Sequence, residues 1–197
     1  MILMINCSYK GKSSNSRYFL ERLQVPCEIV ELKSILNGLF DEFLETLKDT
    51  DAIVFGTPLY VDGLPAQLVS LLERLMEEKP AALENLPIYV VSNLGFYEPQ
   101  QIQHLLSMVE HWTRRVGAVY SGGLAIGAGP LVRAVDQMPV DGFLNGKVNK
   151  AYDCFKRAII DKRAVENIYC KSRVPRWGYL MAAHKMFRTE IEQNTKK

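Results

Sequence analysis

Nine consecutive positions, Ser8-Tyr9-Lys10-Gly11-Lys12-Ser13-Ser14-Asn15-Ser16, hold four serines, one asparagine, one glycine and two lysines. They follow the apolar run Ile2-Leu3-Met4-Ile5-Asn6 and lead into a segment of helical spacing. That is a turn from a strand into a helix. The free amides of a helix N-terminus, joined by hydroxyls and an ammonium group, bind a phosphate well. Two familiar phosphate loops are absent, the GxGxxG dinucleotide fingerprint and the GxxxxGK[ST] of nucleoside triphosphatases. A hydroxyl-rich loop suits the terminal phosphate of a mononucleotide. The plain alternative is a polar turn with a helix cap.

Two more loops carry chemistry suited to a flat ring. Gly56-Thr57-Pro58-Leu59-Tyr60-Val61-Asp62-Gly63-Leu64-Pro65 combines two glycines, two prolines and one aromatic side chain. Stiff backbone with exposed amides approaches a heteroaromatic ring closely, and Tyr60 can stack on it or bond to it. Asn93-Leu94-Gly95-Phe96-Tyr97-Glu98-Pro99 repeats the mixture of glycine and aromatics. Each loop alone also reads as an ordinary turn. Three together are far more specific than any one.

A frame must bring these loops to one place. Short apolar runs predict strands over residues 2–6, 27–32, 51–56, 87–92 and 118–126. Gly122 and Gly123 mark a bulge or a close approach in the last. Helical spacing predicts helices from Asn15, as cap, to about Leu23, from Phe40 to Leu47, and along Leu64, Leu68, Leu71, Leu72, Leu75 and Met76. Pro65 suits the first turn of the third helix. Two more follow, Ile102 to Val116 ending at Gly117, and Val148 to Ile159. Five strands alternating with five helices make a three-layer α/β/α sandwich on a five-stranded parallel sheet. In such a sheet ligands bind beyond the C-terminal strand ends, where the strand order reverses. Residues 1–163 are expected as one domain. Residues 164–197 are expected as a basic C-terminal arm, part of that domain or an oligomer contact. In the arm, Val174-Pro175-Arg176 is a breaker, and Gly178 to Gln193 is helix-permissive.

Other side chains offer less. His104 and His111, seven apart on one predicted helix, could form a proton relay, but surface or boundary positions are the expectation; His184, in the basic arm, could reach an acceptor site in a partner subunit, but no role is the expectation. Asp136, Asp141 and Asp153 are too scattered for a metal site, and no nucleophile elbow points to a hydrolase. Cys7, Cys27, Cys154 and Cys170 have no metal-ligand spacing. Three of the four sit in apolar sequence, which predicts reduced, buried thiols. Trp177, Tyr179, Leu180, Met181 and Met186-Phe187 lie among basic residues and suggest a subunit contact before a membrane surface.

At 197 residues, 48% hydrophobic and 23% charged, the chain fits one globular domain with no need of a disulfide or metal staple. No apolar run reaches the length of a membrane span. The N-terminus reads as a strand rather than a signal peptide, so a cytoplasmic protein is expected. The net charge of +2 is unevenly spread, with 13 basic against 5 acidic residues from Lys147 onward. The basic residues are not interleaved with aromatics as in a nucleic-acid motif, so no nucleic-acid partner is expected.

The chain resembles the flavodoxin-like NAD(P)H-dependent FMN reductase family, including its multimeric-flavodoxin and iron–sulfur flavoprotein branches. Ser8 through Ser16 carry the resemblance, with the PxYxxxxP-like segment Pro58-Leu59-Tyr60-Val61-Asp62-Gly63-Leu64-Pro65 and Gly95-Phe96-Tyr97-Glu98. Pro175-Arg176 with Tyr179, Ala183 and His184 resembles the tail of several members. The resemblance implies a flavodoxin-like sheet of order 2-1-3-4-5 with a C-terminal helical arm. It implies FMN, its phosphate held by Ser8, Lys10, Ser14, Asn15 and Ser16. Pro58, Leu59, Tyr60, Val61, Asp62 and Gly63 would lie along the isoalloxazine. Asn93, Leu94, Gly95, Phe96 and Tyr97 would contact its pyrimidine end and flank the nicotinamide or acceptor pocket. The implied reaction passes hydride from NADPH or NADH through FMN to a small acceptor, a quinone, a nitro or azo compound, or a flavin. It needs no dedicated catalytic side chain and no metal, and a homo-oligomer (dimer or tetramer) is implied. Cys7 stands where many members have glycine and Tyr9 where many have proline. The compact cysteine motif of the iron–sulfur branch is missing, so no cluster is expected. Two other readings are an electron-transfer flavodoxin, which a pI of 8.3 opposes, and a non-catalytic flavodoxin-like interaction protein, which Cys7 and Tyr9 motivate.

Overall fold

The inner strands are near-continuous apolar runs whose successive side chains point to opposite faces, so they feed both sides of one sheet. The strands are β1 (Ile2–Asn6), β2 (Cys27–Glu31), β3 (Ala52–Pro58), β4 (Pro87–Asn93), β5 (Val119–Ile126) and β6 (Ile168–Cys170). All pair in parallel, in the order β2-β1-β3-β4-β5-β6. The computed structural model describes residues 1–195, without the side chains of Asp141, Met186, Phe187 and residues 189–195.

The sheet therefore has six strands where five were expected, with the expected order intact among the first five. Ile168-Tyr169-Cys170 is too short to show an alternating pattern. It becomes a strand only by pairing with Leu124, Ala125 and Ile126.

The helices are α1 (Asn15–Glu21), α2 (Leu32–Leu36), α3 (Phe40–Lys48), α4 (Ala66–Glu78), α5 (Gln103–Val116), α6 (Gly129–Asp136), α7 (Asp141–Leu144), α8 (Gly146–Ile160) and α9 (Arg176–Thr195). Three of these, α2, α6 and α7, were not expected. The first and last span five and four residues. α6 opens with Gly129-Pro130, and proline is well placed in a helix's first turn.

Helices cover both faces. Leu3, Ile5, Ile53, Phe55, Ile88 and Val90 pack against α2 to α5, through side chains such as Phe43, Leu68, Leu75, Leu105 and Trp112. Their strand neighbours Met4, Val54, Tyr89, Val91, Leu124 and Ile126 pack against α1, α6 and α8, through Phe19, Leu20, Val132, Tyr152 and Phe155.

The two glycines of β5 mark a bulge. Ile88 pairs with Tyr120 and Tyr89 with Gly122, so Ser121 is the extra residue. Gly122 has φ +124°, and a Cβ there would lie 2.4 Å from the Val165 carbonyl oxygen. Only glycine fits that approach of the chain leading to β6.

The cysteines correct one expectation. Cys7 and Cys170 are buried, but Cys27, at the start of edge strand β2, and Cys154 on α8 are exposed. Among the described residues no helix is long and apolar enough to cross a membrane.

Candidate functional site

The strand order reverses between β1 and β3, which lead to β2 on one side and β4 on the other. The C-terminal ends of β1, β3 and β4 release the three loops singled out above. Leu59 N donates to Asn93 O (2.9 Å) and Cys7 N to Gly56 O (2.8 Å), which ties neighbouring loop bases together.

Ser8, Lys10, Ser14, Asn15, Ser16, Pro58, Leu59, Tyr60, Asn93, Leu94 and Gly95 line one pocket of 160 Å³, with Pro130 of α6 as a further wall. Val61, Asp62, Gly63, Phe96 and Tyr97 do not line it. Val61 and Asp62 form a turn in which Tyr60 and Gly63 exchange backbone hydrogen bonds of 3.2 and 3.0 Å. Both have positive φ, +47° and +59°, as in a type I′ turn. Val61 is fully exposed there, an unusual backbone for a β-branched residue. Phe96 and Tyr97 turn instead toward α9.

The first loop is built around Asn6, the last residue of β1, fully buried. Its Nδ2 donates to Gly11 O (3.0 Å) and to Glu31 Oε2 (2.7 Å). Its Oδ1 accepts from Ser8 N (3.3 Å) and from Ser14 Oγ (3.3 Å). Glu31 also faces Arg17 at 3.4 Å. The cap of α1 is Ser14, not Asn15, for Ser14 Oγ accepts from Arg17 N at 3.1 Å. The Asn15 side chain instead accepts from Arg133 Nη1 (3.1 Å), and the Arg133 guanidinium lies 4.9 Å from the Tyr18 ring centre.

The chemistry of the donors follows from these contacts. Ser16 Oγ accepts from Asn93 Nδ2 (3.0 Å), so its own proton is available to a ligand. Ser8 Oγ accepts from Lys10 N (3.4 Å) and keeps its proton likewise. Ser14 differs, since its hydroxyl both caps the helix and donates to Asn6. The first-turn amides of Asn15 and Ser16 have no helical carbonyl to reach, and the helix end adds positive potential. Two hydroxyl donors, two amides and the exposed Lys10 fit a phosphate monoester. Burial, helped by the Glu31 charge, pushes the Cys7 thiol far above its ordinary range, so Cys7 fills space as a neutral thiol. Burial first, and then the hydrogen bond to Asp136, pushes Tyr18 up to about 12.

The arm closes on the third loop. Tyr179 Oη donates to Gly95 O (2.9 Å) and Tyr97 Oη to Val174 O (2.8 Å). Lys171 Nζ pairs with Glu98 at 2.6 Å and sits 3.9 Å over the Tyr97 ring. Trp177 and Met181 of the proposed contact patch are exposed, whereas Met186 and Phe187 lie outside the described side chains. His104, His111 and His184 are exposed.

Sequence reasoning passed over Asn6 and Arg133. A polar residue closing an apolar run was the available signal for Asn6. Arg133 lies 118 positions from Asn15 and gave none.

The profile of the NADPH-dependent FMN reductase family matches residues 1–130, which contain all three loops. The chain belongs to that family. Among solved structures, its fold is similar to general stress protein 14 of Treponema denticola, a structure in complex with FMN. The TM-score is 0.59 at 13% identity, over 80% of this chain and 98% of that one. The Trp repressor binding protein of Bacillus subtilis gives 0.55 at 18% identity, over 63% and 82%. The azoreductase AzrA gives 0.53 at 15% identity, over 79% and 99%. At such identities these likenesses speak for the flavodoxin-like fold alone. No curated protein matches the chain by sequence.

Proposed function

We propose that this reductase-family protein oxidises NADPH or NADH and passes the electrons through bound FMN to a small acceptor. The observation that carries the reading is the meeting of three loops, from the ends of β1, β3 and β4, on one pocket whose floor is a helix N-terminus rich in hydroxyls. Bound FMN would supply the redox chemistry, accepting a hydride equivalent and returning two electrons. The chain's own work is binding and orientation. Ser8 and Ser16 donate to the phosphate, the Asn15 and Ser16 amides add two more hydrogen bonds, and Lys10 adds charge. Ser14 and Asn6 hold these groups in place. Pro58, Leu59 and Tyr60 on one side, and Asn93, Leu94 and Gly95 on the other, flank the ring. Val61, Asp62 and Gly63 shape the rim through the Tyr60 turn, and Phe96 and Tyr97 border the acceptor side. The balance is one NAD(P)H and one solvent proton consumed for each two-electron acceptor reduced. We place the protein in the cytoplasm, and read it as a homo-oligomer (dimer or tetramer); exposed Trp177 and Met181 on the arm support the oligomer.

The test is the visible absorption spectrum of the purified protein, before and after NADPH or NADH is added without oxygen. Oxidised-flavin bands that bleach uphold the reading and name the donor. Bands that persist identify an electron carrier fed by another protein. A protein that stays colourless after incubation with FMN is the interaction protein instead.

A further inference from the structure

Helix α6 braces two of the loops that meet at the pocket. At its start Ala128 N donates to Phe96 O (2.6 Å) and Gly129 N to Leu94 O (2.8 Å), which fastens it to the third loop. Pro130 walls the pocket. Arg133 follows one turn later on the same helical face. Its Nη1 donates to Ser13 O (3.3 Å) and to Asn15 Oδ1 (3.1 Å) of the first loop. A guanidinium has five N–H donors, and those on Nη2 and Nε make no hydrogen bond among the described residues. Nor does Arg133 pair with a carboxylate among them; its other contact is the face of the Tyr18 ring, 4.9 Å away. Asp136 accepts from the Tyr18 hydroxyl at 2.7 Å and is itself bonded by Arg22 (2.8 Å) and Asn145 (2.8 Å). A stacked and tethered guanidinium has little side-chain freedom left to lose. The remaining charges of the loop are placed differently. Arg17 is engaged by Glu21 at 2.7 Å and Glu31 at 3.4 Å. Lys10 and Lys12 are exposed. Glu31, bonded to Asn6 beside the loop, opposes any anion that binds there.

We propose that Arg133 is the residue by which this chain tells a phosphorylated flavin from an unphosphorylated one. The inference rests on the FMN-binding part of the reading above. A phosphate monoester carries about −1.5 to −2 charge at neutral pH. A cation with no carboxylate partner, fixed on the flank of the loop, offsets the repulsion from Glu31 and favours that charge. Riboflavin has no phosphate and gains nothing from it. The bond to Asn15 adds a second effect, since it fixes the side chain between the capping Ser14 and the phosphate donor Ser16. Arg133 is therefore a positioning and specificity residue. It acts on the phosphate end through charge and through Asn15, and leaves the ring to the other two loops. The family match does not supply it, because Arg133 lies beyond residues 1–130. Lysine is a poor substitute here, since a single ammonium lacks the planar fork that stacks on Tyr18 while it bonds Ser13 and Asn15.

Two variants separate the charge from the fork. Arg133→Gln removes the charge and keeps an N–H for Asn15, and Arg133→Lys keeps the charge and gives up the fork. Dissociation constants for FMN and for riboflavin are measured by flavin fluorescence, at low and at high salt. In Arg133→Gln the FMN constant should rise about tenfold or more, while the riboflavin constant stays within about twofold of wild type. Arg133→Lys should lose about threefold for FMN alone. Added salt should weaken FMN binding less in Arg133→Gln than in the wild type. An unchanged ratio of the two constants overturns the inference. So does an equal loss for both flavins, which would assign Arg133 to holding the fold. If Arg133→Gln does not fold, the ratio in Arg133→Lys decides. A wild-type protein that binds FMN but is not bleached by NADPH or NADH sinks the reductase reading, and the ratio still measures Arg133. A wild type that binds neither flavin is tested with inorganic phosphate in thermal melts. A rise in Tm that is lost in Arg133→Gln upholds the phosphate role, and an equal rise or none overturns it.

Discussion

Replacing Asn6 with alanine removes the side chain on which the first loop is hung. The carboxamide makes two shorter bonds, 3.0 Å to Gly11 O and 2.7 Å to Glu31 Oε2, and two longer ones of 3.3 Å from Ser8 N and Ser14 Oγ. A neutral hydrogen bond contributes about 0.5–1.5 kcal/mol and one to a charged group about 1.5–3 kcal/mol. The two longer bonds belong at the low end. The Glu31 bond does too, because that carboxylate also faces Arg17 and retains some exposure. The loss comes to about 3–4 kcal/mol. For a chain of this length, about 2–4 °C of melting temperature goes with each kcal/mol, so Tm should fall by roughly 10 °C. FMN affinity should fall with it, since Ser8 and Ser14 lose their common anchor. A thermal melt followed by circular dichroism and a flavin fluorescence titration measure the two effects. Asn6→Asp sharpens the test. It keeps the acceptor for Ser8 and Ser14, loses the donor to Gly11 O, and sets a second carboxylate beside Glu31. That pair shares a proton, so its folded pKa rises above the unfolded value and the variant regains stability as pH falls. A Tm for Asn6→Ala within about 2 °C of wild type, with unchanged FMN affinity, would refute the reasoning.

Val61→Asn replaces a β-branched residue at φ +47° with one that tolerates this backbone, and should raise Tm by roughly 2–4 °C because the exposed valine packs on nothing. Ser8→Ala with Ser16→Ala should weaken FMN binding, each hydroxyl–phosphate bond contributing about 1.5–3 kcal/mol, and a fluorescence titration with no change would remove this loop from the site. Alkylation of the folded protein with iodoacetamide should label Cys27 and Cys154 and spare Cys7 and Cys170 until unfolding, as peptide mapping will show. Burial pushes the Cys170 thiol up to about 12 and Cys7 further still. Asp51, held down to about 2 by Lys162 and the N-terminal ammonium, contributes stability above its ordinary pKa of 3.8 that is lost as pH falls toward 2. Asp51→Asn should flatten that acid limb in a pH series of melts, and added salt should flatten it in the wild type.

The strands and long helices were legible because hydrophobic periodicity is local. Leu105, Leu106, Val109 and Trp112 occupy one buried face of α5, and Gly117 ends it at φ +75°, as its spacing and residue type announce. The three loops were legible because, although each alone reads as an ordinary turn, all three fall at the ends of strands that a parallel sheet brings side by side. The cap was misread by one position. Ser14 and Asn15 are both good caps, and the choice turned on Arg133 drawing the Asn15 side chain away. The sixth strand, the buried network at Asn6 and the turn of Phe96 and Tyr97 toward the arm depended on partners far along the chain.

By itself, then, the sequence determined a parallel sheet between two helical layers, the first five strands in it, and the residues offered at the ends of β1, β3 and β4. Periods of two and near four, cap residues and turn residues act over a few positions, so they are written where they act. The tertiary structure decided which offered groups share a pocket, which hydroxyls keep a proton for a ligand, and that α6 brings Arg133 to the first loop. Those outcomes depend on contacts between residues as much as 120 positions apart, such as Arg133 with Ser13. No local pattern encodes them, because they exist only once the packed layers fix the distances.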